Sequence, residues 1–112
     1  MKIYGIPNCG SVKKALDFVK ASGTQYEFVD FKKQKPTTLE VEAWAKAVGI
    51  DKLFNTKGTK YKSSGLDYKA MSDKERIDAL AIEPTMIKRP VIEYKGKVLV
   101  GFDEVTYKKE LV

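Results

Sequence analysis

The N-terminal segment changes its hydrophobic period twice, and this alternation restricts the fold more than any other feature of the chain. Lys2-Ile3-Tyr4-Gly5-Ile6 reads as a strand. After Pro7-Asn8-Cys9, an amphipathic helix starts near Gly10 or Ser11, with Val12, Ala15, Leu16 and Val19 at i, i+3, i+4 and i+7 on one apolar stripe. Gly23 follows its last turn in the position of a C-cap. Gln25-Tyr26-Glu27-Phe28-Val29 is rich in aromatic and β-branched residues and predicts a second strand. Two neighbouring strands joined by a helix form a right-handed parallel crossover. The turn after the first strand then lies outside a carboxyl end of the sheet, where open α/β sheets build their sites.

The remainder predicts a helical middle and a β-hairpin with a closing helix. Thr37-Thr38-Leu39-Glu40 is a capping box, followed by the apolar face Val41, Trp44, Ala45 and Val48, with Gly49 ending the helix. A short turn, Ile50 to Phe54, leads into a loop from Asn55 to Lys60. Ser72-Asp73-Lys74-Glu75 is a second capping box before Ile77, Leu80 and Ala81, and Pro84 stops that helix. Pro90 to Tyr94 and Lys97 to Val100 flank the two-residue turn Lys95-Gly96, a hairpin signal. Asp103 is placed to cap a last helix carrying Val105 and Leu111. The expected architecture is α/β: a thioredoxin-like βαβ–ββα mixed sheet with a helical insertion. It forms one domain over residues 1–112, with its core in about 1–31 and 85–112 and the insertion in about 32–84.

Within this frame, Cys9 sits at a strand-to-helix turn, where unpaired N–H groups and the helix dipole favour a thiolate. Many free cysteines are simply small buried hydrophobes. Here the loop-forming neighbours Pro7, Asn8, Gly10 and Ser11 argue against that. The dipole alone moves a thiol by about one pKa unit or less, so a nearby cation is required for a strongly acidic group. Lys13, one turn along, is one source, or it merely decorates the helix. Arg89 is a second candidate at the site, with another role, because in this topology the strand after the insertion begins beside the cysteine. Arg89 would aim a planar, permanently charged fork at an anion. Pro90 suits either an edge strand or a cis peptide. Val12 stands where a Cys-x-x-Cys pair would have its second thiol, so Cys9 needs an outside thiol for resolution.

Composition removes other chemistries. The chain has no histidine and one cysteine, which excludes Cys-His and Ser-His-Asp nucleophilic sites, histidine-bearing zinc sites and an internal disulfide. Gly96-Lys97 lacks the upstream glycine and the Ser/Thr of a phosphate loop. No apolar run approaches the ~18 residues of a membrane span. Met1-Lys2-Ile3-Tyr4 runs straight into a strand, which leaves no room for a signal peptide, and the expected location is cytoplasmic. The net charge of +6 reads as a solvated basic face, and no RNA-binding motif accompanies it, so direct nucleic-acid binding is not expected. A small anion or an acidic protein surface fits the charge equally well.

The segment Tyr4-Gly5-Ile6-Pro7-Asn8-Cys9-Gly10-Ser11-Val12-Lys13-Lys14-Ala15 resembles the opening of the ArsC/Spx family, and within it the small YffB-type proteins. Leu53 to Gly58, Ile87 to Val91 and Leu99 to Phe102 agree in the same order. The resemblance implies a thioredoxin-like core with a helical insertion. It further implies a glutathione- or glutaredoxin-coupled reductase of the arsenate reductase type, in which one cysteine attacks an oxyanion held by arginines. Cys9 and Arg89 match that nucleophile and one such arginine. Lys13 stands where the reductases have Cys-x3-Arg, and Lys62 stands for a second arginine if Tyr61-Lys62 is the matching segment. The expected site is therefore Cys9, Lys13 and Arg89, with Asn8, Gly10, Ser11, Lys62 and Pro90 receiving substrate or glutathione. Glutathione is the expected co-substrate, with no tightly bound cofactor and no metal. The expected partners are glutathione or glutaredoxin and a small oxyanion, with no membrane. The alternative, from the Spx branch, is a regulator that binds the RNA polymerase α subunit. That branch senses oxidation through Cys-x-x-Cys, a switch that Val12 removes.

Overall fold

A computed structural model describes residues 1–111. In chain order the elements are β1 (Lys2–Gly5), α1 (Gly10–Ala21), β2 (Glu27–Asp30), α2 (Thr38–Val48), α3 (Ile50–Leu53), α4 (Thr59–Ser64), α5 (Asp73–Ile82), β3 (Val91–Tyr94), β4 (Lys97–Val100) and α6 (Glu104–Glu110), with short 3-10 turns at Tyr68–Ala70 and Pro84–Met86. They form two compact units: Met1–Lys33 with the segment from Arg89 onward, and Gln34–Lys88.

The first unit holds a four-stranded mixed sheet in the order β2-β1-β3-β4. β1 and β2 are parallel, while β3 runs antiparallel to both β1 and β4. Ile3 pairs with Phe28 on one side and Ile92 on the other, and Ile92 pairs with Leu99. Laterally paired residues share a sheet face. On that face Ile3 and Ile92 pack against Ala15 and Val19 of α1 and against Tyr107 and Leu111 at the end of the chain. Each fully buried aliphatic side chain contributes about 1.5–3 kcal/mol relative to exposure. This is the thioredoxin-like βαβ–ββα order expected from the hydrophobic periods. At the hairpin, Lys95 and Gly96 both have positive φ, 50° and 77°, as a two-residue turn matched to strand twist requires.

Two local expectations change. Val105 is 77% exposed, and Leu111 lies just beyond α6 as its C-cap, buried. Tyr107 is the buried residue of α6. Helix residues two apart do not share a face, whereas 107 and 111 are four apart and do. Tyr107 also stacks edge-on against Phe18 and Phe102, and its hydroxyl donates to the Gly101 carbonyl at 2.6 Å. The second change concerns Pro90. β3 is an interior strand, so the edge setting does not apply, and the Arg89–Pro90 peptide is cis. The Pro90 carbonyl accepts from the Gly101 N–H at 2.8 Å.

In the second unit, both capping boxes form. Glu40 N–H donates to Thr37 Oγ1 at 3.1 Å and Thr37 N–H to Glu40 Oε1 at 2.9 Å. The Ser72–Glu75 pair matches them at 3.2 and 2.9 Å. Val41 and Trp44 of α2, with Leu53, Phe54, Leu80, Met86 and Ile87, are buried. The loop expected over Asn55 to Lys60 ends early, because α4 starts at Thr59. Its sequence, Thr-Lys-Tyr-Lys-Ser-Ser, buries no residue and so shows no apolar stripe.

Candidate functional site

The site begins where β1 ends. Gly5 pairs with Asp30, and its carbonyl accepts from Phe31 N–H at 2.8 Å, so the strand stays fixed to its last residue. The chain then turns, with Cys9 N–H donating to the Ile6 carbonyl at 3.3 Å. Cys9 is the N-cap of α1, with extended backbone (φ −92°, ψ 130°), and its carbonyl accepts from Lys13 N–H at 2.9 Å. An N-cap side chain lies near the N–H groups of the second and third helical residues, here Ser11 and Val12.

Cys9 is a free, half-buried thiol. Burial pushes the thiol up. The Val12 N–H, a hydrogen bond from the Arg89 guanidinium, the Ser11 N–H and the Arg89 charge together outweigh burial and hold the thiol below its ordinary value. No geometrically complete side-chain capping bond is formed, so these N–H groups act on the sulfur as nearby dipoles rather than as a closed cap.

Arg89 reaches Cys9 through the sheet. β3 runs antiparallel to β1 with Tyr4 opposite Val91, so residues just before Val91 sit beside residues just after Tyr4. Arg89 is half-buried and Pro90 buried. Asn8, Gly10 and Ser11 are exposed around the thiol. A side-chain carbon added at Gly10 would meet no atom within 4 Å, so the approach over the helix N-terminus is open.

Of the residues expected at the site, the fold thus joins Cys9, Arg89, Ser11 and Gly10. Lys13 is exposed, is tied to Cys9 only through the backbone, and is not among the groups that lower its thiol. A helical side chain leans back over the preceding turn, but a long lysine there stays in solvent, where its charge is screened. Lys62 lies on α4 of the second unit, exposed. Val12 was read only as a core residue and as a missing thiol. Its N–H proves the strongest of the groups favouring the thiolate, a backbone effect that no side-chain pattern encodes. Among the described residues, no three His, Cys, Asp or Glu side chains gather where they could hold a metal ion.

Sheet order and site together define a thioredoxin-like protein with one cysteine, its thiol held below the ordinary value, at the head of its first helix and an arginine beside it. The chain belongs to the ArsC family, whose model matches residues 4–110. YusI of Bacillus subtilis, itself uncharacterised, is 34% identical over 93% of this chain and 92% of its own length. An arsenate reductase of Rhizobium meliloti is 32% identical over 80% of this chain and 66% of its own length. A more distant relative, the regulatory protein MgsR of Bacillus subtilis, is 23% identical over 92% of this chain and 83% of its own length. The solved structure of a YffB protein superposes with a TM-score of 0.91 at 32% identity, covering 99% of this chain and 98% of that one.

Proposed function

We propose that this protein is a glutathione- or glutaredoxin-coupled reductase in which Cys9 is the nucleophile. The observation that carries the reading is the hydrogen bond from the Arg89 guanidinium to the Cys9 thiol, set against the N–H groups of α1. A thiolate is the attacking form, and a guanidinium beside it offers two parallel donors to an incoming oxyanion or carboxylate.

For an oxyanion such as arsenate, the Cys9 sulfur bonds to the central atom and a protonated oxygen leaves as water. A glutathione thiolate then attacks the Cys9 sulfur. The electron pair of the bond to the central atom departs with that atom, which is reduced by two electrons, and Cys9 is left as a mixed disulfide with glutathione. A second thiol, from glutathione or glutaredoxin, takes the glutathione as a disulfide and returns Cys9 as thiolate. Arg89 holds the oxyanion in the first step and the glutathione carboxylate in the second. No metal, flavin or nucleotide enters the sequence, and the cycle suits a reducing compartment such as the cytoplasm. Support for the substrate class comes from the arsenate reductase relative.

The test is an NADPH-linked assay with glutathione, glutathione reductase and glutaredoxin, run with arsenate and with glutathione disulfide, alongside mass spectrometry of Cys9. A glutathione adduct on Cys9 and turnover lost in Cys9→Ser are expected. Absence of both adduct and turnover would sink the reading.

The relative MgsR, a regulatory protein, favours a second reading, a regulator, for which the Spx resemblance implies the RNA polymerase α subunit as partner, without an oxidation switch. A pull-down that enriches the α subunit equally with wild type and Cys9→Ser, alongside an inactive assay, selects it.

A further inference from the structure

Gly5 is the last residue of β1, and its α-carbon lies against the first turn of α1. A β-carbon built there would stand 2.7 Å from Val12 Cγ2, 3.5 Å from Cγ1 and 3.7 Å from Cβ. Carbon atoms in contact prefer about 3.5–4.0 Å, so the first distance demands a displacement of roughly 1 Å. Neither partner yields easily. Gly5 is held by its pairing with Asp30 and by the 2.8 Å bond from Phe31 N–H. Val12 is fully buried, and a helical valine has essentially one χ1 rotamer. The part left to move is the first turn of α1 itself, which carries the N–H groups that face the Cys9 sulfur.

We infer that Gly5 is a positioning residue: its missing side chain seats Val12 against the end of β1 and so sets the first turn of α1 in register with the Cys9 sulfur. The inference rests on the reading of Cys9 as a working thiolate. Hydrogen-bond-like contacts weaken steeply with misalignment, so a shift of this size at Val12 N–H is felt by the thiol. The direction agrees with Val12 N–H being the foremost of the groups that favour the thiolate.

The experiment is the pH profile of Cys9 alkylation by iodoacetamide in the full chain, in wild type, Gly5→Ala, Val12→Ala and the double variant, with thermal midpoints measured on the same samples. Gly5→Ala should raise the thiol pKa by roughly half to one unit, a three- to tenfold slower alkylation below the wild-type pKa. The double variant should follow Val12→Ala, because the added methyl then meets no γ-carbon, the non-additivity expected of touching residues. A Gly5→Ala profile that overlays wild type, whatever its thermal midpoint, overturns the inference. So does a double variant whose pKa lies above that of Val12→Ala by the full Gly5→Ala shift. If Gly5→Ala fails to fold, the double variant against Val12→Ala decides: coincident profiles support the inference and a raised pKa in the double variant rejects it. An ordinary pKa in wild type itself overturns the functional reading of Cys9, a separate result read before any variant.

Discussion

The Arg89 guanidinium donates to the Cys9 sulfur, although one residue stands just before β3 and the other is the N-cap of α1. The antiparallel pairing of β3 with β1 makes them neighbours. This contact adds a full charge to the fractional charge of a helix N-terminus. The Val12 N–H is the foremost of the groups that lower the thiol, and Arg89 is the side chain that adds to it, through a hydrogen bond and through its charge.

Replacing it should show this directly. Arg89→Ala should move the alkylation profile of Cys9 toward the ordinary thiol value, slowing reaction near neutral pH by roughly tenfold, which corresponds to one pKa unit. Arg89→Lys should fall between, keeping charge but losing the fork. Lys13→Ala should change the rate less than about twofold, since that side chain is solvent-exposed and screened. A larger effect from Lys13 than from Arg89 would reverse the assignment.

The same lowering has a consequence for stability. The folded state favours the thiolate, so its pKa lies below the ordinary 9.0 of the unfolded chain. The contribution is fully present above the unfolded value and is lost as pH falls through the folded one. Urea unfolding of wild type and Cys9→Ser at several pH values should therefore give a difference that grows with pH across this window. A difference that is flat or shrinks as pH rises would contradict the lowered thiol.

Much of this arrangement was legible from the chain, for identifiable physical reasons. The stripe Val12, Ala15, Leu16 and Val19, both capping boxes and the Lys95-Gly96 turn are local codes, and each forms as read. The approach of Arg89 to Cys9 was legible only by way of topology, because strand order, not sequence spacing, makes them neighbours. Three features escaped. The first turn of α4 has no apolar period to mark it. Tyr107, not named among the apolar positions of the closing helix, is its buried residue, while Val105 is 77% exposed. The part played by Val12 N–H belongs to the backbone, and any residue but proline would supply it.

The Tyr107 correction makes its own prediction. Its hydroxyl donates to the Gly101 carbonyl at 2.6 Å in a buried setting. Tyr107→Phe leaves that carbonyl without its donor and should cost about 1–3 kcal/mol of unfolding free energy by denaturant titration. Val105→Ser, at a site 77% exposed, should stay within about 0.5 kcal/mol of wild type. Equal losses in the two variants would mean that α6 presents a different face to the sheet.

In the second unit, Tyr68 offers a test independent of the thiol. Its hydroxyl donates to Asp51 Oδ1, and the Arg76 guanidinium lies over its ring at 3.9 Å while donating to its carbonyl at 3.1 and 2.7 Å. Burial and then the bond to Asp51 push the phenol up to about 12, against a smaller opposing pull from Arg76. Ultraviolet difference titration of wild type against Tyr68→Phe should isolate a phenol ionising well above the ordinary 10.0, and Asp51→Asn should bring it down. A raised phenol favours its neutral form in the folded state, so its contribution to stability is complete below pH 10.0 and disappears as pH climbs through about 12. Wild type should accordingly lose more stability over that range than Tyr68→Phe does. A Tyr68 signal at the ordinary phenol value, unmoved by Asp51→Asn, would show that the Asp51–Tyr68–Arg76 arrangement does not persist in solution.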